Sequence, residues 1–132
     1  MCTGSLSVRG NPTQTFTAGM SGLLIQVDIP LCSPSKNARI DLTVSTTGAT
    51  AQSSTASVIL PHDYSDCAWY EFDYKQPLRV ATGDVLQLAA TSQNHKTALW
   101  GYDGQGDDAY PRGTGHWRGE SVDDFAFQTY VQ

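Results

Sequence analysis

The sequence has few basic residues and no long apolar run. Lys and Arg number 8 against 13 Asp and Glu, which gives a formal net charge of −5. Nucleic acids and anionic membranes recruit proteins through basic surfaces that displace counterions, so this charge disfavours both partners. No apolar run approaches the roughly 18 residues of a membrane-spanning helix, and we expect no membrane insertion. No signal-peptide pattern opens the chain, so we interpret residues 1–132 as a single domain excised from a larger secreted protein.

Patterns that mark common enzymes are also missing. The three histidines, His62, His95 and His116, lie far apart and lack the paired spacing of metal ligands. No strand-to-helix nucleophile elbow surrounds any serine. Glu71 and Asp73 alternate with apolar residues, which is typical of solvated outward positions on a strand. We therefore predict that the chain is not an enzyme.

The composition is that of an extracellular β-protein. Charged residues make up only 16% of the chain and apolar residues 39%, while Ser, Thr and Gly are abundant. A chain of 132 residues is long enough to bury one sizeable core. Together these features predict a secreted or cell-surface location.

Apolar residues alternate with polar ones along most of the chain, and no amphipathic helix is evident. Alternation places one set of side chains on a buried face, and turn signals rich in Gly, Pro, Asn and Asp separate the sets. The pattern predicts an all-β, antiparallel β-sandwich. The predicted inward sets are Leu23, Ile25, Val27, Ile29 and Leu31; Ile40, Leu42 and Val44; Tyr70 and Phe72, with Trp69 outward; Leu86, Leu88 and Ala90; and Phe125, Phe127 and Val131. Residues 49–57 are predicted to form a loop or a ragged edge strand.

The segment from Thr97 to Val131 carries the clearest functional signal. Trp100 and Tyr102 are two residues apart and share one face of an extended segment. Tyr110 and Trp117 lie among Gly, Pro, Asp and Arg residues that suit a loop. Clustered loop aromatics favour a recognition surface. The alternative is that these rings cover the open end of the sandwich.

Five segments resemble a known family, and they cover most of the chain: QTFTAGMSGLLIQVDIPL, ARIDLTVSTTG, CAWYEFDYKQPLRVATGDVLQLAAT, LWGYDGQGDDAYPRG and DDFAFQTYV. They resemble bacterial extracellular jelly-roll domains, which occur as accessory modules of secreted hydrolases and as repeats of surface-anchored proteins. The resemblance implies a jelly-roll sandwich similar to carbohydrate-binding modules, with a sugar site and a structural Ca²⁺.

The acidic residues near the carboxyl end suit calcium in their chemistry. Ca²⁺ prefers carboxylate and carbonyl oxygens, and Asp103, Asp107, Asp108, Asp123 and Asp124 fall in one region. Their spacing does not match an EF-hand loop. The family resemblance implies that Asp124, which opens the final strand, helps to hold the ion. The alternative is that these acids are solvated or cap turns.

We predict that the domain binds a polysaccharide or other glycan. Sugars present an apolar C–H face and a rim of hydroxyls, so their sites combine aromatic platforms with polar side chains. The predicted ligand-binding residues are Trp100, Tyr102, Tyr110, Arg112, Trp117 and Arg118. Two alternatives remain: a structural or adhesion spacer that docks onto neighbouring domains, and a virion or phage surface protein.

Two of the three cysteines are candidates for a disulfide. If the strand from Leu23 to Leu31 pairs antiparallel with that from Ala68 to Tyr74, Cys32 and Cys67 meet at one edge. We predict a Cys32–Cys67 disulfide with Cys2 left over. Other pairings, or three reduced thiols, remain possible from the sequence.

Overall fold

The computed structural model describes eleven β-strands joined by turns. The described residues are 5–7, 11–32, 37–47, 52–60, 67–93, 96, 98–101, 115–117, 120–122, 125 and 127–132. Within these ranges no helix is long and apolar enough to span a membrane. The strands are β1 (Ser5–Ser7), β2 (Thr13–Thr17), β3 (Gly22–Cys32), β4 (Ala38–Thr46), β5 (Ser53–Leu60), β6 (Cys67–Val80), β7 (Val85–Ser92), β8 (Leu99–Gly101), β9 (Gly115–Trp117), β10 (Glu120–Val122) and β11 (Gln128–Val131).

The strands form two antiparallel sheets, which confirms the predicted β-sandwich. Sheet A has five strands, with β3 at its centre. β6 pairs with β3 along most of its length, while β11 pairs with residues 24–28 of β3 and β8 with residues 31–32. β1 continues the sheet beyond β8. Sheet B has six strands in the order β10-β9-β2-β7-β4-β5.

The inner faces of the two sheets build one apolar core. Ile40, Leu42 and Val44 of β4 are buried, and so are Leu86, Leu88 and Ala90 of β7. Sheet A contributes Val27, Ile29, Leu31 and Phe72, while Tyr70, Phe127 and Val131 are partly buried against them. These inward positions agree with the prediction, because a period of two places alternate residues on one face.

The predicted inward set fails at the beginning of β3. Leu24 is buried there, whereas Leu23 and Ile25 are only half-buried. The register shifts between Leu24 and Gln26, and β6 has four unpaired residues, 74–77, opposite this point. Such an irregularity changes which positions face inward. The phase of the alternation therefore reverses, and the predicted odd-numbered set holds only from Val27 onward.

β6 reaches from sheet A to sheet B across these residues. The hydroxyl of Tyr74, which is buried, donates a hydrogen bond to the Leu42 carbonyl of β4 at 3.1 Å. Ser54 Oγ of β5 donates to the Gln76 carbonyl at 2.8 Å. β5 itself is the outermost strand of sheet B, so the chain between residues 53 and 57 forms an edge strand. These bonds hold the two sheets together along one side.

A buried glutamine joins β2 to the carboxyl-terminal part of the chain. Gln14 is fully buried, and its Oε1 accepts a hydrogen bond from the Phe125 backbone N–H at 2.8 Å. Its Nε2 donates to the Thr15 carbonyl at 2.9 Å. A buried amide must be bonded in this way, because an unpaired polar group in the core is costly.

Candidate binding face

Three neighbouring strands of sheet A present a row of polar and aromatic side chains to solvent. In the register of β11, β3 and β6, Tyr130 lies opposite Gln26 and Gln26 opposite Asp73. The next outward row places Asp28 opposite Glu71. Trp69 lies two residues before Glu71, so the two side chains share one face of β6. We call this surface the outer A face; its residues are Gln26, Asp28, Trp69, Glu71, Asp73, Gln128 and Tyr130.

Gln26 organises the polar centre of the outer A face. Its Nε2 donates to Asp28 Oδ1 at 2.8 Å and to Glu71 Oε1 at 3.0 Å. One amide therefore joins a carboxylate two residues along its own strand to a carboxylate at the diagonal position of the adjacent strand. The amide oxygen and the remaining carboxylate oxygens are acceptors for a ligand that brings hydroxyl groups.

Two carboxyls of this face influence each other directly. The hydrogen bond and the negative charge of Asp73 raise the pKa of Glu71 above its ordinary value of 4.5, and Asp28 adds to the rise. Like charges held close together favour retention of a proton by one of them. Glu71 therefore keeps its proton to a higher pH than an isolated carboxyl would.

Tyr130 is tied to the same network. The hydrogen bond and the charge of the Asp28 carboxylate raise the pKa of the Tyr130 hydroxyl. The hydroxyl also donates to Gln128 Oε1 at 3.3 Å, which is long for an O–H donor. These bonds orient the phenol ring beside β3 and leave it 41% exposed.

Trp69 and Tyr130 lie at opposite corners of the outer A face. Trp69 is 42% exposed and lies opposite Pro30, whereas Tyr130 lies opposite Gln26. From the strand spacing and rise, their Cα atoms are roughly 16 Å apart. The acceptors of Gln26, Asp28, Glu71 and Asp73 lie between them. The face thus combines two aromatic surfaces with a polar centre.

The structure moves one predicted binding residue into the core. Trp100 is fully buried, and its ring stacks on Phe125 with centroids 4.5 Å apart and planes 24° apart. The prediction that Trp100 forms part of a ligand surface therefore does not agree with the structure. The alternation of Trp100 and Tyr102 correctly places them on one face of a strand, but an aromatic ring suits a core as well as a surface.

Among the other predicted site residues, Trp117 alone lies in the described part of the chain. It belongs to β9, which lies between β10 and β2 in sheet B, so a strand stands where the sequence predicted a loop. The remaining predicted residues lie outside the described residues: Tyr102, Tyr110, Arg112, Arg118 and the predicted calcium ligand Asp124. In the part of the chain that is described, no group of three or more His, Cys, Asp or Glu residues is suited to hold a metal ion.

A disulfide lies at the end of β3. Cys32 is disulfide-bonded and almost fully buried. Its Cα partner in the register of β3 and β6 is Cys67. The strand pairing on which the Cys32–Cys67 prediction depends is therefore present.

Sequence reasoning overlooked most of the outer A face. The outward direction of Trp69, Glu71 and Asp73 is evident from alternation, but the acids alone suggested only solvation. Their relation to Gln26, Asp28 and Tyr130 depends on the pairing of three strands that are distant in sequence. An exposed tryptophan two residues before a pair of alternating acids was the available signal.

Comparison with known proteins does not assign this face to a family. A scan against protein-family models finds no match, and a search of curated proteins finds none either.

Proposed function

We propose that this chain is a non-catalytic, jelly-roll carbohydrate-binding module that attaches a secreted or cell-surface protein to a polysaccharide. The observation that carries the proposal is the exposure of Trp69 and Tyr130 on one sheet face, on either side of a hydrogen-bonded polar centre. A sugar ring has an apolar face that packs on aromatic rings and hydroxyls that bond to carboxylates and amides. The outer A face offers both kinds of group.

The expected affinity is modest. A sugar face that covers roughly 80 to 100 Å² of apolar surface contributes about 2 to 2.5 kcal/mol before ordering costs are subtracted. Two such contacts, about 4 to 5 kcal/mol together, correspond to dissociation constants of roughly one millimolar to a few hundred micromolar. The roughly 16 Å between Trp69 and Tyr130 suits an oligosaccharide segment better than a single sugar.

The open position of the polar centre favours binding over catalysis. Glu71 and Tyr130 lie at the surface, in contact with water. Acid–base catalysis and charge stabilisation gain most where water is excluded and donors are preorganised. The disulfide at Cys32 supports an oxidising, extracytoplasmic compartment.

Truncation of the two exposed aromatics tests this function. Trp69→Ala and Tyr130→Ala should each cost about 1 to 3 kcal/mol of glycan binding and change the free energy of unfolding by less than about 1 kcal/mol. Binding is measured by tryptophan fluorescence and calorimetry against a panel of neutral polysaccharides. The matched control is Ile59→Ala, since Ile59 is 63% exposed on β5 of the opposite sheet.

The outcomes separate the alternatives. Unchanged glycan binding in both aromatic variants, together with weaker binding by Trp117→Ala, would instead place the site at the residues predicted from the sequence. If the parent domain binds no glycan, the adhesion or spacer function is favoured, with Trp69 and Tyr130 docking onto a neighbouring domain.

A further inference from the structure

A second polar groove lies away from the centre of the outer A face. It has a volume of about 510 Å³ and is lined by the start of β3, the end of β4, the residue before β5, the second half of β6 and the turn that follows β6. Arg79, Gln52 and Asp84 line it together with Leu23 and Pro77. Leu23 and Arg79 are cross-strand partners, so an apolar side chain lies beside a guanidinium.

The backbone around this groove is fixed by internal hydrogen bonds. Thr46 N donates to the Gln52 carbonyl and Gln52 N to Thr46 Oγ1, both at 2.8 Å. Thr47 donates through both its backbone N and its Oγ1 to the Val85 carbonyl at 3.2 Å. Asp84 Oδ2 accepts from Ala81 N at 2.8 Å, which holds the turn after β6. The described backbone that lines the groove is therefore preorganised.

Its strongest binding groups are not used by the fold. Within the described residues, neither the Arg79 guanidinium nor the Gln52 side-chain amide has a hydrogen bond or ion pair. The turn uses Oδ2 of Asp84 and leaves Oδ1 as a further acceptor. A guanidinium offers paired N–H groups that match a carboxylate in a bidentate arrangement.

We propose that this groove binds a uronic acid residue of an acidic polysaccharide. Arg79 takes the sugar carboxylate, Gln52 and Asp84 bond to ring hydroxyls, and Leu23 and Pro77 cover the apolar C–H face. The site is separate from Trp69 and Tyr130 and does not depend on the function proposed for them. The carboxylates of the outer A face disfavour an acidic sugar there, so the two sites select different sugars.

Binding of an oligomer of galacturonic acid to the whole domain tests this site, with the methyl-esterified oligomer as the neutral comparison. Arg79→Ala should weaken binding of the acid about tenfold or more, because a charge-assisted hydrogen-bond pair is lost. The methyl-esterified oligomer should bind to the parent domain about tenfold or more weakly than the acid does. Arg79→Lys should recover only part of the affinity, since an ammonium cannot form the bidentate pair of hydrogen bonds with the carboxylate.

The controls separate local recognition from net charge and folding. Lys75→Ala removes an exposed cation from the same strand outside the groove, and it should change affinity by less than about twofold. Melting temperatures check that each variant is folded. The proposal is overturned if the acid does not bind at millimolar concentration, if the ester binds equally well, or if Arg79→Ala and Lys75→Ala lose affinity alike. Equal displacement of the oligomer by inorganic phosphate would also overturn it, since the groove would then accept any small anion.

Discussion

At the residue scale, the chemistry of the outer A face depends on the closeness of its carboxyls. Asp28, Glu71 and Asp73 are drawn together by strand pairing and by the Gln26 amide. Because the network raises the pKa of Glu71, the folded protein holds a proton that the unfolded chain releases more readily. The groups proposed to accept hydrogen bonds from a sugar thus also make the face sensitive to pH.

The stability of the protein should reflect the raised pKa of Glu71. Because the pKa of Glu71 in the folded state is raised above 4.5, protonation of Glu71 stabilises the fold. This stabilisation is fully present below pH 4.5 and is lost as the pH rises through the raised pKa. Relative to Glu71→Gln, the wild type should therefore be less stable at about pH 7 than at about pH 4, because Gln donates to Asp73 without ionising. Urea midpoints of both proteins at the two pH values measure the difference.

Asp41→Asn removes a carboxylate from the opposite sheet and controls for the change in net charge. A stability difference between wild type and Glu71→Gln that stays constant with pH would contradict the raised pKa of Glu71.

At the element scale, β6 has the most complex role in the fold. Its first half pairs with β3 and displays Trp69, Glu71 and Asp73, and its second half resumes the pairing at Leu78. Between the halves it contacts β4 and β5 of the other sheet through Tyr74 and Gln76. The strand that carries much of the outer A face therefore also joins the sheets.

Removal of the Tyr74 hydroxyl tests this link. Burial raises the pKa of the phenol well above its ordinary value, and the hydroxyl donates to the Leu42 carbonyl. Tyr74→Phe should lower the free energy of unfolding by about 0.5 to 1.5 kcal/mol, the usual contribution of one buried hydrogen bond. Tyr130→Phe, at the surface, should change it by less than about 0.5 kcal/mol. Equal denaturant midpoints for Tyr74→Phe and wild type would show that the bond contributes nothing.

At the scale of the whole molecule, long-range strand pairing has to be held in register. β3 pairs with β6, β8 and β11, all of which are distant from it in sequence, so the loops between them must be closed on folding. The disulfide at Cys32 lies at the end of this central strand, opposite Cys67. A covalent link there reduces the entropy of the unfolded chain.

Cys32 and Cys67 should resist alkylation in the native protein, and non-reducing peptide mapping should recover their peptides joined. Replacement of both by Ser should lower the free energy of unfolding by about 4 kcal/mol in the chain-entropy model. Cys2→Ser is the matched control and should change the free energy of unfolding by less than about 0.5 kcal/mol. Native labelling of both Cys32 and Cys67 would contradict the pairing.

The sequence by itself determined the class of fold and the direction of most side chains. Ile40, Leu42, Val44 and Phe72 face the core because alternation with a period of two is a local property of an extended chain. The outward direction of Trp69 followed from the same rule.

Only the tertiary structure decided the composition of the outer A face and the burial of Trp100. Gln26, Asp28, Glu71 and Tyr130 become neighbours through the register of three distant strands, which no local pattern encodes. Four residues of β6, 74–77, have no partner on β3, and at this point the set of β3 side chains that face inward changes to include Leu24. This change also depends on strand register. Trp100 is apolar enough for the core and flat enough for a sugar, and its environment was settled by the ring of Phe125 that packs against it.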